Sequence, residues 1–206
     1  MAVDRMNFWK SIAIGFALIS VLWFVFALQQ LGVINSFVYG NHPHDPNGWR
    51  GILFSPFLHG SFEHLVSNTL PMLVLLTVLL NAYPRHALIV LVFVHLVSNT
   101  MVWAFAPEYT VHIGISGIIY GIASFLLASG VFRRDRTAMA IAFFVALLYG
   151  GMVAGFVPQP GVSWQSHLFG AISGVVIAFF LRRLDLPPPH EFEFEEREEE
   201  RHFFDR

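Results

Sequence analysis

Six long apolar stretches constrain this chain more than any other feature. They run over residues 11–30, 62–81, 86–106, 116–132, 137–157 and 166–184. A helix needs roughly 20 mostly apolar residues to cross the hydrocarbon core of a bilayer. Within lipid every backbone polar group must be paired inside the protein, which leaves helices or closed barrels as the spanning structures. The expected fold class is therefore an all-α membrane protein, a bundle of six transmembrane helices. Polar or Pro-containing breaks separate the runs, among them Asn81-Ala82-Tyr83-Pro84, Pro107-Glu108 and Pro158-Gln159-Pro160-Gly161. Composition agrees: charged residues make up 13 % of the chain, against about 25 % in a soluble domain. That deficit argues against a water-soluble globule and against a nucleic-acid binder, which needs a basic face. The absence of cysteine excludes disulfides, thiolate metal sites and a cysteine nucleophile.

The first run follows Arg5 and Lys10 as a signal peptide would, but it is too long, and Gln29-Gln30 offers no small-residue cleavage site. It reads as a retained span. With the N-terminus inside, the inner segments hold Arg5, Lys10, Arg85, Arg133, Arg134, Arg136, Arg182, Arg183 and three tail arginines, while the outer loops hold only Arg50. Positive residues gather on the cytoplasmic side, so both termini are expected there, with the protein in the plasma membrane. The chain divides into a cytoplasmic N-terminus (1–10), a six-span core (11–184) and an acidic cytoplasmic tail (185–206). The tail holds nine acids against three arginines, or −6; the other residues carry nine basic and five acidic groups, or +4, which together give the net −2. After Pro187-Pro188-Pro189 it reads as a solvated extension. The long outer loop, 31–61, carries Trp49, Phe54 and Phe57 among polar residues, a composition suited to the membrane interface.

An ionisable group within a span is costly and marks a functional site by default. Here the candidates are His64, His95 and His167, with Glu63 at an edge and no Asp, Lys or Arg deep in any span. Spans 2, 4 and 6 all run from outside to inside. His64, Ser116 and His167 each fall near the start of one of them, so the topology predicts that they share one depth. His64 and Asn68, four residues apart, project from one helical face. Gly117 with Gly121, and Gly170 with Gly174, form small-residue faces that let membrane helices approach closely. Such approach is what a Ser116–His167 hydrogen bond of ~2.6–3.2 Å requires. Gly114 adds backbone freedom at a helix entrance, where N–H groups lack partners. Each signal alone has a duller reading: a lone serine bonds its own helix, and GxxxG is packing glue. The hexapeptide His-Leu-Val-Ser-Asn-Thr occurs at 64–69 and again at 95–100. The copies sit on consecutive antiparallel spans at different depths, so His95 reads as a packing contact. His42 and His44 read as a solvated loop pair.

Together these pieces resemble the rhomboid family of intramembrane serine proteases. The matching residues are Trp49-Arg50 in the first loop, His59 with His64-Leu-Val-Ser-Asn68, Gly114-Ile-Ser116-Gly117 with Tyr120, and His167-Leu-Phe-Gly170 continuing to Gly174. The resemblance covers roughly residues 10–184. It implies Ser116 as nucleophile and His167 as general base. It implies an oxyanion site of His64, Asn68 and N–H groups around Gly114. Tyr120 would pack on the His167 ring, Trp49 and Arg50 would organise the first loop, and His59 would support the site from its junction with span 2. It further implies cleavage of transmembrane protein substrates within the lipid bilayer, with no metal or other cofactor and no nucleic-acid partner. His95 and Asn99 have no role in that pattern. Two other readings compete: an inactive rhomboid-like binding or quality-control module, and a small transporter. Relatives of the first kind usually lack the serine or histidine, and the second lacks both a deep acid and internal symmetry.

Overall fold

The computed structural model describes residues 7–184; the acidic 185–206 segment and most of residues 1–10 lie outside them. Helices dominate: α1 (Phe8–Gln30), α2 (Ser36–Tyr39), α3 (Trp49–Phe54), α4 (Phe62–Ala82), α5 (Ala87–Phe105), α6 (Ser116–Arg133), α7 (Arg136–Tyr149) and α8 (Trp164–Leu181), with 3₁₀ segments at Ser55–Phe57 and Gly150–Phe156. Among the described residues, six helical segments are long and apolar enough to cross a membrane, matching the six expected spans. The fifth differs in detail. It stops being α-helical at Gly150-Gly151 and finishes as a 3₁₀ segment, where two successive glycines weaken the helix.

Local chemistry sets the helix starts. Asn7 caps α1 by accepting from the Trp9 N–H at 3.0 Å. Ser61 caps α4 by accepting from the His64 N–H at 3.1 Å, which puts His64 in the first turn beside Glu63, a residue suited to a helix N-terminus. Asp135 accepts from the Ala138 N–H at 2.9 Å and pairs with Arg133 at 2.9 Å, setting the short turn between α6 and α7.

The centre of the bundle is α6, 72 % of which is buried. It packs against α4, α5, α7 and, most extensively, α8. Small residues permit this: a Cβ on Gly170 would lie 2.0 Å from the Gly117 carbonyl oxygen, and one on Gly174 would lie 2.1 Å from that of Gly121. The α6 and α8 backbones therefore meet with almost no side chain between them. Leu65, Leu75, Leu79, Ile122, Phe125 and Leu126 fill the core around this contact. The α7 segment stands at the edge, 6 % buried, and exposes Phe143, Phe144, Leu147 and Leu148 as a lipid-facing surface.

The first loop is held down by polar groups in α5. Asn41 Nδ2 donates to the Asn99 carbonyl at 2.8 Å, and the Ser55 hydroxyl donates to Asn99 Oδ1 at 3.1 Å. The repeated hexapeptide thus has two uses. In α5 its asparagine anchors the loop; in α4 the equivalent Asn68 faces a cavity. Asn41 also forms an antiparallel bridge with His112, tying the first loop to the segment before α6.

Candidate active site

The starts of α4, α6 and α8 surround a cavity of about 1110 Å³ at one end of the bundle. His64, Asn68, Ser116, Tyr120 and His167 all line it, with Glu63 the only carboxylate among the described residues. Pro158 and Pro160, between the 3₁₀ turn and α8, and Trp164 at the start of α8 line it from one side.

Ser116 and His167 lie 51 residues apart in sequence and touch: Ser116 Oγ is 2.9 Å from His167 Nε2, and both residues are buried. Each stands in the first turn of its helix, and the glycine contact below them brings α6 and α8 close enough for the bond. Tyr120, one turn beyond Ser116, stacks on the His167 ring with centroids 4.1 Å apart and planes 5° from parallel. Its hydroxyl donates to the Met152 carbonyl at 2.6 Å. His167 Nδ1 is 2.8 Å from the Gly155 carbonyl oxygen. No carboxylate bonds this histidine among the described residues.

Asn68 is 7 % exposed, and its Nδ2 is buried without a hydrogen-bond partner. An orphaned amide donor of this kind costs about 1–3 kcal/mol. Gly114 has φ +110°, and a Cβ there would lie 2.6 Å from His64 Cε1; glycine both permits the backbone and admits the imidazole. Its N–H, expected among the anion donors, instead donates to the Ser55 carbonyl at 2.9 Å. The N–H groups of Ser116 and Gly117 fall in the first turn of α6, which lacks intrahelical acceptors.

His59 lies under the site rather than in it. It is 1 % exposed and meets the His64 ring edge-on at 5.1 Å. Gln29 of α1 holds its main chain from both sides, accepting from the His59 N–H and donating to its carbonyl, each at 3.2 Å. Neither ring nitrogen has a well-formed hydrogen bond. Burial, helped by the neighbouring His64, pushes the His59 pKa down to about 4, with the Phe57 carbonyl offsetting part of the fall. Trp49 and Arg50 are not brought to the cavity. They sit exposed on α3, where the Arg50 guanidinium lies 5.6 Å from the Trp49 ring, and α3 packs on α5. Gly117 and Gly170 act through the helix contact described above.

A hydrogen-bonded chain beside the cavity had no counterpart among the sequence candidates. The Thr110 hydroxyl donates to the Pro107 carbonyl at 2.6 Å, so its oxygen accepts from His112 Nε2–H at 2.8 Å. His112 Nδ1 is then an acceptor for the Ser163 hydroxyl, and Ser163 accepts from Ser166 at 2.6 Å. This chain links the segment before α6 to the start of α8, and it requires a neutral imidazole. Burial, then the nearby His42, lowers the His112 pKa to about 4. The only signal in sequence was a further histidine close to the start of span 4.

His59 and His112 are both neutral in the fold and free to ionise near 6.5 once unfolded. Their contribution is fully present above pH 6.5 and is lost as pH falls towards 4, with an upper bound of roughly 3 kcal/mol each. The midpoint of thermal unfolding in detergent should therefore drop steadily between pH 6.5 and 4.5, and His112→Gln should flatten part of that slope. A midpoint constant across this range contradicts the assignment.

A model of the Rhomboid domain matches residues 46–184. An uncharacterised protein of Mycobacterium leprae is 37 % identical over 182 residues, covering 79 % of this chain and 70 % of its own length. An uncharacterised Mycobacterium tuberculosis protein is 34 % identical over 172 residues, covering 79 % and 72 %. The Bacillus subtilis protein named "Putative rhomboid protease YdcA" is 26 % identical over 168 residues, covering 79 % and 84 %. With most of its length matched by that domain and six helices able to cross a bilayer, this chain belongs to the rhomboid family and is an integral, multi-pass membrane protein.

Proposed function

We propose that the protein is an intramembrane serine endopeptidase that cleaves transmembrane segments of other membrane proteins. The observation that carries this reading is the 2.9 Å contact between Ser116 Oγ and His167 Nε2 on the wall of a cavity where His64, Asn68 and Tyr120 also gather. The serine attacks the scissile carbonyl carbon as His167 Nε2 takes its proton. The tetrahedral intermediate collapses, the C–N bond breaks, and His167 passes the proton to the leaving amine. An acyl-enzyme on Ser116 remains, and water activated by the same imidazole hydrolyses it. These steps need only side chains, main-chain donors and water.

The negative oxygen of the intermediate requires donors already in place, because none can be recruited from hydrocarbon. The unpaired Asn68 Nδ2, the His64 ring and the first N–H groups of α6 supply them. Gly114 contributes by admitting the imidazole of His64. Asn68→Ala should lower kcat by ~10²–10³-fold with little change in KM, measured on a cleavable transmembrane substrate in detergent or liposomes. An unchanged kcat removes Asn68 from the oxyanion site.

The excess of positive residues in the alternate loops supports a topology with the cavity end outside and both termini in the cytoplasm, and on that reading cleavage occurs near the outer face. There the site reaches water while its flanks stay in lipid. A substrate helix has its peptide groups internally bonded and must unwind before attack, which favours substrates with helix-weak residues at that depth. The deciding experiment is labelling of the protein in native membranes by a serine-directed fluorophosphonate. Labelling that disappears in Ser116→Ala supports the protease. Equal labelling of the two refutes the nucleophile, and no labelling of either favours a non-proteolytic rhomboid-like module.

A further inference from the structure

We propose that Gly155 is a positioning residue of the dyad: its main-chain carbonyl fixes which nitrogen of His167 carries the proton. This rests on the proteolytic reading above and deepens it. A neutral imidazole has one donor and one acceptor nitrogen. A carbonyl oxygen can only accept, so the 2.8 Å contact between Gly155 O and His167 Nδ1 requires the proton on Nδ1. Nε2 is then left with its lone pair facing Ser116 Oγ at 2.9 Å, the state a general base needs. A carboxylate does this work in a Ser-His-Asp triad; here a neutral main-chain dipole stands in that place.

The same short segment, Gly150–Phe156, makes a second contact with the site. Its Met152 carbonyl accepts from the hydroxyl of Tyr120, whose ring stacks on the imidazole. One 3₁₀ turn thus holds the base both at its Nδ1 edge and, through Tyr120, at its face. The segment must lie very close to do so. A Cβ on Gly155 would sit 1.9 Å from Tyr120 Oη and 2.9 Å from His167 Nδ1, so any larger residue pushes the carbonyl away from the ring. By contrast, a Cβ on Gly151 in the same turn meets nothing within 4 Å. None of its residues is fully buried, but Met152 packs against the core and Phe156 meets the Tyr120 ring edge-on at 5.2 Å. Seating of this turn and readiness of the base are therefore coupled, and the dyad is competent only while the turn is docked.

The test pairs Gly155→Ala with Gly151→Ala in the full chain, using substrate turnover and nitrogen NMR of ¹⁵N-histidine-labelled protein. Gly155→Ala should lower kcat roughly 10- to 100-fold, the scale of one lost orienting hydrogen bond, with KM nearly unchanged. Its His167 signal should move from the Nδ1–H tautomer towards Nε2–H. Gly151→Ala should retain wild-type turnover and tautomer. If Gly155→Ala fails to fold, the wild-type spectrum decides alone: Nδ1–H supports the assignment and Nε2–H overturns it. Wild-type kcat in folded Gly155→Ala also overturns it. Either negative leaves the protease reading intact as long as turnover still depends on Ser116; loss of that dependence is a separate failure.

Discussion

Replacing Ser116 or His167 with alanine is expected to reduce kcat by roughly 10⁴- to 10⁶-fold, with KM for a transmembrane substrate little altered. The two groups form one device. The hydroxyl is a poor nucleophile until the imidazole takes its proton, and the imidazole's later proton transfers, to the leaving amine and from water, all depend on the acyl-enzyme that the serine forms. The Ser116→Ala/His167→Ala double variant should therefore be no slower than the worse single one, because groups acting as a unit are far from additive. Folding should survive the serine change, since Oγ makes one side-chain bond, to His167, and the cavity beside it is already open. Thermal unfolding in detergent separates lost chemistry from lost structure. Additive losses in the double variant would mean that the two residues act independently, and the dyad would have to be abandoned.

Gly170→Ala should damage both fold and activity by a different route. Its added methyl carbon would lie 2.0 Å from the Gly117 carbonyl oxygen, and the obstacle is backbone rather than the end of a flexible side chain. The helices must separate, and over-packing of this kind costs about 1–3 kcal/mol. Ser116 and His167 stand directly above the contact on the same two helices, so separation also opens their 2.9 Å bond. The expected result is a lower unfolding temperature together with at least a tenfold fall in fluorophosphonate labelling of Ser116, using RT ln 10 of about 1.4 kcal/mol as the scale. Gly150→Ala, whose Cβ meets open space, is the matched control. Normal labelling in Gly170→Ala would show that the dyad does not depend on the close approach of α6 and α8.

These two variants mark the boundary between what could be read early and what could not. The Gly117/Gly121 and Gly170/Gly174 pairs carried their meaning in spacing, because only small residues let helices touch in lipid. The start of α4 was similarly legible once Ser61 is recognised as its cap, three residues before His64. The change to a 3₁₀ turn at Gly150-Gly151 was not. Hydropathy runs unbroken through it, and apolar length does not distinguish helix types. Trp49 and Arg50 match a family pattern, and the fold places them exposed on α3 of the first loop, away from the cavity.

The order of apolar runs and breaks by itself determined a six-span helical membrane protein, because a bilayer leaves the backbone few other ways to pair its polar groups. The alternation of helix direction brought His64, Ser116 and His167 to one level. Tertiary structure alone decided which polar atoms remain free and which are taken. The Gly114 N–H is used by Ser55, Asn68 Nδ2 is left unpaired, and carbonyls of Met152 and Gly155 reach Tyr120 and His167. Main-chain groups are the same at every residue and leave no trace in sequence, so their partners emerge only when the chain has packed.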